Sequence, residues 1–152
     1  MEATSEGLFA KPAVLDRPRS GFWRRFAASF IDGIVISVIG WILTLFGLGE
    51  NERGVHVNFG GNSWPALLIS AVYFTFFHGR TGQSPGDAVF GIKVVDFRDG
   101  TGEPIGYGRA ALRWLVSLVS AIALLIGYLW MLWDSEKQTW HDKAAGSVVV
   151  KV

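Results

Sequence analysis

The sequence predicts an all-α membrane protein: a three-transmembrane-helix bundle with a cytoplasmic loop containing a short helix and short β-strands. Three observations predict it. The 152-residue chain is 50% hydrophobic and 18% charged, with a mean hydropathy of +0.33, where a soluble domain carries about a quarter charged residues. Its apolar residues gather into three long runs, and its Lys and Arg residues are shared unequally among the segments between them. The length suits one domain. The composition argues against a disordered chain, a nucleic-acid binder and an ordinary soluble enzyme, and the absence of cysteine excludes a thiol nucleophile or a Cys-ligated metal.

The first run, Gly33 to Gly49, holds no charge, and its helical pattern begins upstream at Phe26, interrupted only by Asp32. The second reads WPALLISAVYFTFFH from Trp64 to His78; the third holds no charge from Trp114 to Trp133. About 20 helical residues cross a hydrocarbon core, so membrane helices are expected at about 26–48, 63–79 and 110–133. Trp23, Trp64, Trp114, Trp130 and Trp133 sit near their ends, where an amphipathic ring prefers the headgroup level.

Residues 1–21 read as a polar N-terminal tail with no apolar signal core, and 22–152 as the transmembrane domain. The N-terminal flank carries Lys11, Arg17, Arg19, Arg24 and Arg25; residues 50–63 carry Arg53 alone; the segment from Arg80 to Arg113 carries five basic residues. The positive-inside rule then places the N-terminus and the central loop in the cytoplasm of a multi-pass plasma (inner) membrane protein. Three crossings put the C-terminus outside. A competing signal is the Val-rich end, Gly146 to Val152, which matches only the run Gly91 to Phe97 as a strand partner. If those two pair, the third apolar stretch must turn back. Three crossings are preferred, and the alternative stays open.

Asp32 lies inside an apolar helix, where a carboxylate needs a partner or water. Arg25 is seven residues earlier on the same face, and the two are expected to interact. That face continues as Gly33, Ser37, Gly40, Thr44 and Gly47, a small-residue strip suited to close helix packing. Arg109 and Arg113, one turn apart at the start of the third stretch, are positioned to meet Asp32 or lipid phosphates. Ser84, Pro85 and Asp87 form a helix start, with Ser as N-cap, Pro first and a carboxylate third. Gly82-Gln-Ser-Pro-Gly86 matches the hydrolase elbow pattern, but Pro85 removes the N–H that an oxyanion hole needs there. His141 and Asp142 read as structural, with Asp142 capping a turn or pairing with an arginine. The three histidines lack metal-ligand spacing, and no internal repeat is read from the chain.

These blocks resemble the RDD family of small integral membrane proteins, named for an arginine and two aspartates. The blocks are Arg25-Phe-Ala-Ala-Ser-Phe-Ile-Asp32, Thr81 to Asp96, Arg109-Ala-Ala-Leu-Arg113 and Trp140-His-Asp to Val150. The resemblance maps the name-giving trio to Arg25, Asp32 and Asp142. The family often has Thr where Ser147 stands, and commonly a basic residue where Asp87 follows Gly86.

The expected function is that of a non-enzymatic helix-packing or assembly module with no cofactor or metal. The alternative is a proton, cation or small-solute transporter using Asp32. Expected partners are the lipid bilayer and a second copy or another membrane protein, with no nucleic acid. The candidate polar cluster is Arg25, Asp32, Arg109, Arg113, His141 and Asp142.

Overall fold

A computed structural model describes residues 16–46, 64–123 and 125–152. The elements are α1 (Phe22–Leu45), α2 (Trp64–Arg80), α3 (Pro85–Val89), β1 (Ile92–Asp96), α4 (Tyr107–Ile122), α5 (Ile126–Leu129), a 3₁₀ turn (Trp130–Leu132), α6 (Trp140–Ala145) and β2 (Ser147–Lys151). The chain is mostly helical, as its apolar runs require.

α1 is long and apolar enough to cross a membrane over Phe22–Leu43. Trp23, Phe30, Trp41 and Leu45 are exposed along it, as a lipid-facing helix permits. α2 has 17 residues, which reach about 25 Å at the rise of an α-helix.

The third apolar stretch is not one straight helix. α4 ends at Ile122, and the α5 segment leaves it at an angle of 112°. Leu125 takes a left-handed conformation (φ 64°), and its N–H donates to Ser120 O at 3.0 Å. Gly127 then packs against the Ser120 side chain, and a Cβ there would also stand 2.9 Å from the Trp140 ring. Only a glycine lets the chain fold back this closely. The excursion that leaves β1 therefore returns to the same sheet; among the described residues α1 is the one helix long and apolar enough by itself to cross a membrane, and the third segment is bent.

β1 and β2 pair antiparallel, from Ile92 opposite Lys151 to Asp96 opposite Ser147. This is the pairing that the two Val-rich runs offered. Neither edge is left open. Val94 N donates to Gly82 O at 2.7 Å and Asp96 N to Glu103 O at 2.9 Å on one side; Ser20 N donates to Val149 O at 2.9 Å and Lys151 N to Pro18 O at 2.9 Å on the other. Residues 18–20, read from sequence as tail, thus belong to the folded body. Ile92, Val94, Ile105, Ala110, Ala145 and Val149 join Ala28 of α1 in the core beneath the ribbon.

The structure contains an internal repeat that the sequence reading missed. Gln83-Ser-Pro-Gly-Asp-Ala-Val-Phe-Gly-Ile-Lys-Val-Val95 recurs as Gln138-Thr-Trp-His-Asp-Lys-Ala-Ala-Gly-Ser-Val-Val-Val150. Each copy forms a short helix with a complete capping box, Ser84 with Asp87 and Thr139 with Asp142. A left-handed glycine follows each helix (Gly91 φ 59°, Gly146 φ 61°) and leads into a strand. Gln83 Nε2 donates to Ile92 O, and Gln138 Nε2 to Ser147 O, both at 2.8 Å.

Candidate functional site

The two copies of the unit meet α1, α2 and α4 at a polar joint. Asp32, which is buried, accepts three hydrogen bonds: from Tyr73 Oη at 2.8 Å, Ser84 Oγ at 2.5 Å and the Gly86 N–H at 2.8 Å. One carboxylate thereby ties α1 to α2 and α3. Gly86 is glycine for a steric reason, since a Cβ there would collide with the Ala28 carbonyl of α1 and lie 2.9 Å from the Asp32 carboxyl.

Asp142, fully buried in α6, is the second hub. Its Oδ1 accepts from Arg113 Nε at 3.0 Å and lies 2.9 Å from Arg113 Nη2 in an ion pair, while Oδ2 accepts from Arg25 Nη2 of α1 and from the Thr139 N–H at 3.1 Å. Burial alone pushes the Asp142 carboxyl up; the Arg25 and Arg113 guanidinia reverse that and hold it well below the usual carboxylate range. Arg25 also donates to Lys137 O at 3.0 Å.

The expected Arg25–Asp32 interaction is therefore absent: each has a separate partner. Helical spacing put the two on one face but could not show which elements cross that face between them. Asp142 does both things the sequence allowed, capping α6 and pairing with arginine. Arg113 meets Asp142 rather than Asp32. Arg109 pairs with Asp96 and donates from Nε to Ala145 O at 2.6 Å and from Nη2 to Gly146 O at 2.7 Å, closing the carbonyl end of α6. The Arg109 hydrogen bond holds the Asp96 carboxyl below its ordinary value.

Sequence reasoning passed over Tyr73 and Thr139, and read His78 as an ordinary interfacial histidine. His78 is buried, and its Nε2 lies 3.0 Å from Asp87 Oδ2 while its Nδ1 lies 3.1 Å from Arg113 Nη1. A guanidinium can only donate, so Nδ1 accepts and the ring proton sits on Nε2, donating to Asp87. Asp87 in turn accepts from the Ser84 N–H at 3.2 Å. Hydrogen bonds therefore run from Asp32 through Ser84, Asp87, His78 and Arg113 to Asp142 and Arg25. The recurrence of Gln-Ser/Thr-x-x-Asp was the signal for Ser84 and Thr139.

A cavity of about 430 Å³ adjoins this network. Asp32, His78, Asp87, Arg25, Arg113 and His141 all contribute to its wall. Among the described residues, Asp32 is the one buried carboxylate with no cationic side chain or histidine within 4.0 Å; Asp87, Asp96 and Asp142 each have such a partner. Gly33 faces the same space, with nothing within 4 Å of the position its Cβ would take. Within one chain, then, this part of the small-residue strip lines a cavity rather than a packed seam. Ser37 Oγ bonds back to Gly33 O at 2.8 Å. Gly47 and the Thr44 side chain fall outside the described residues. No group of three or more His, Asp or Glu residues able to hold a metal occurs among the described residues.

The RDD family profile matches residues 19–146. A "Proline-rich antigen homolog" of Mycobacterium tuberculosis (strain ATCC 25618 / H37Rv) is 37% identical over 153 residues, covering 84% of this chain and 61% of that protein. The "Proline-rich antigen" of Mycobacterium leprae (strain TN) is 37% identical over 93 residues, covering 59% of this chain and 36% of that protein. "Uncharacterized protein YxaI" of Bacillus subtilis (strain 168) is 30% identical over 146 residues, covering 84% and 93%. The chain spans less than two thirds of the mycobacterial relatives' length. No solved structure matches it. Arg25, Asp32 and Asp142, the trio to which the resemblance pointed, are joined by one hydrogen-bonded network, and the chain belongs to the RDD family.

Proposed function

We propose that this RDD domain is a non-enzymatic plasma-membrane module that binds and moves protons or monovalent cations through the cavity at Asp32. The observation that carries the reading is Asp32 itself, a buried carboxylate with neutral donors only, facing open space in an apolar helix. An ionised carboxylate in an apolar helix costs on the order of 2.5–3.5 kcal/mol at mid-membrane and less near an interface, so a cation, a proton or water is favoured beside it. Three donors occupy only part of its acceptor capacity, which leaves room for an exchangeable fourth partner. In this arrangement the N-terminus, the β ribbon and the C-terminus share the cytoplasmic face, and residues 107–133 enter and leave the membrane on that side.

The small number of spans encloses no continuous pore, so the module works as a homo-oligomer or beside another membrane protein. The uncovered backbone at Gly33 supports that, and it also favours a second reading in which the domain serves assembly alone. Proton-coupled cation flux into vesicles reconstituted with the full chain separates the two. Asp32→Asn is expected to abolish flux, and Asp32→Glu to retain part of it, with both variants eluting from detergent as wild type does. Flux unchanged in a well-folded Asp32→Asn protein would reject transport through this residue.

A further inference from the structure

The other end of the cavity is not explained by Asp32. It is formed by Arg25, Arg113, Thr139 and His141. Both guanidinia converge on the single carboxylate of Asp142, so this end holds two positive groups against one negative. Asp87 is separated from Arg113 by the His78 ring, and Asp32 is held on the α3 side by Ser84 and Gly86.

His141 is 4% exposed, yet among the described residues its side chain makes no hydrogen bond. Its Nδ1 is buried without a partner, and its Nε2 stands 4.0 Å from Asp142 Oδ1, beyond hydrogen-bond reach. The Tyr128 ring packs beside it at 4.9 Å between centroids. Burial, followed by the nearby Arg113 and Arg25 charges, holds the His141 imidazole well below its ordinary pKa despite Asp142. It is neutral at pH 7, with one N–H to donate. A buried ring whose Nδ1 has no partner among the described residues calls for one.

The first copy of the repeated unit shows what kind of partner fits. There Ser84 Oγ accepts from the Asp87 N–H at 3.1 Å and donates to the Asp32 carboxylate, which the Gly86 N–H also binds. In the second copy Thr139 Oγ1 accepts from the Asp142 N–H at 3.3 Å, but its own proton meets no acceptor among the described residues. His141 stands where Gly86 stood. The counterpart of a carboxylate-binding position is thus left without its carboxylate, beside two arginines. Phe22, Phe26, Ile36, Trp114, Leu125 and Leu129 give the remaining walls a mostly apolar surface.

We propose that this end of the cavity binds the oxyanion of an acyl-chain lipid, a phosphate or carboxylate, on Thr139, His141, Arg25 and Arg113, with the chain lying along the apolar wall. The proposal does not depend on cation movement at Asp32. The test is calorimetric titration of the full chain in maltoside micelles with dodecyl phosphate, dodecyltrimethylammonium and inorganic phosphate. Saturable binding of dodecyl phosphate, and none of the cationic chain, is expected. His141→Phe, which keeps a ring beside Tyr128, is expected to weaken dodecyl phosphate about tenfold at unchanged thermal stability, the size of one hydrogen bond to a charged group. Weaker binding of inorganic phosphate assigns the site to a lipid; equal binding assigns it to a free oxyanion. Comparable binding of the cationic chain, or undiminished affinity in a folded His141→Phe protein, would overturn the proposal. If that variant does not fold, the comparison of charge signs on the wild-type chain decides.

Discussion

Replacing Asp142 with Asn is expected to cost about 3–5 kcal/mol of folding stability, the range found when one partner of a buried ion pair is removed. The side chain is 0% exposed, and the Arg25 and Arg113 side chains are 11% exposed. Asn retains the shape and one acceptor, but leaves two guanidinia of α1 and α4 without their countercharge. Thermal unfolding in detergent, followed by far-UV circular dichroism, measures the loss. The same experiment against pH checks the electrostatic origin. The Asp142 pKa is lower in the folded protein than in the unfolded chain, so its stabilisation is fully present above the unfolded value and fades as pH falls through about 4 and below. Asp96, held down by Arg109, acts in the same direction. Asp142→Asn should therefore flatten the acid limb of the stability profile, and an unchanged limb would show that the carboxylate is not the cause.

Gly86→Ala is expected to disrupt the joint between α1 and α3. The added carbon collides with the Ala28 carbonyl and crowds the Asp32 carboxyl, and neither side is a flexible side-chain tip that can swing away. Overpacking of this kind costs about 1–3 kcal/mol, and the hydrogen bond from the Gly86 N–H to Asp32 is lost with it. Gly33→Ala, on the α1 side of the same joint, is the matched control. It meets open space, and replacing a mid-helix glycine should stabilise the protein by up to about 1 kcal/mol. Equal destabilisation by both substitutions would mean that α1 and α3 do not pack as described.

Much of this architecture was legible in the residues. The charge-free runs marked α1 and α2 within a few positions, and Ser84-Pro85-Asp87 marked α3 with its cap. The two Val-rich runs also marked their own pairing. The hidden parts depend on which elements cross one another. Arg25 and Asp32 share a helix face, yet α3 inserts at Asp32 and α6 at Arg25, and nothing in the spacing of α1 reveals that. The break after Ile122 carries no proline, and the first glycine comes only at Gly127. It is set by the chain folding back on Ser120, which forces Leu125 left-handed. The repeat escaped notice because its copies share only Gln, a hydroxyl, Asp, Gly and two Val residues, while Pro85 and Gly86 become Trp140 and His141.

The same repeat carries the central claim, that both units sit on one side of the membrane and clamp α1 through Asp32 and Asp142. Because the chain contains no cysteine, single cysteines placed at exposed positions report sidedness without background. Asp99→Cys and Lys151→Cys, read with a membrane-impermeant maleimide on intact cells and on inverted vesicles, should label from the same face, and Phe46→Cys from the opposite one. Labelling of Lys151→Cys from the face opposite Asp99→Cys would contradict the account.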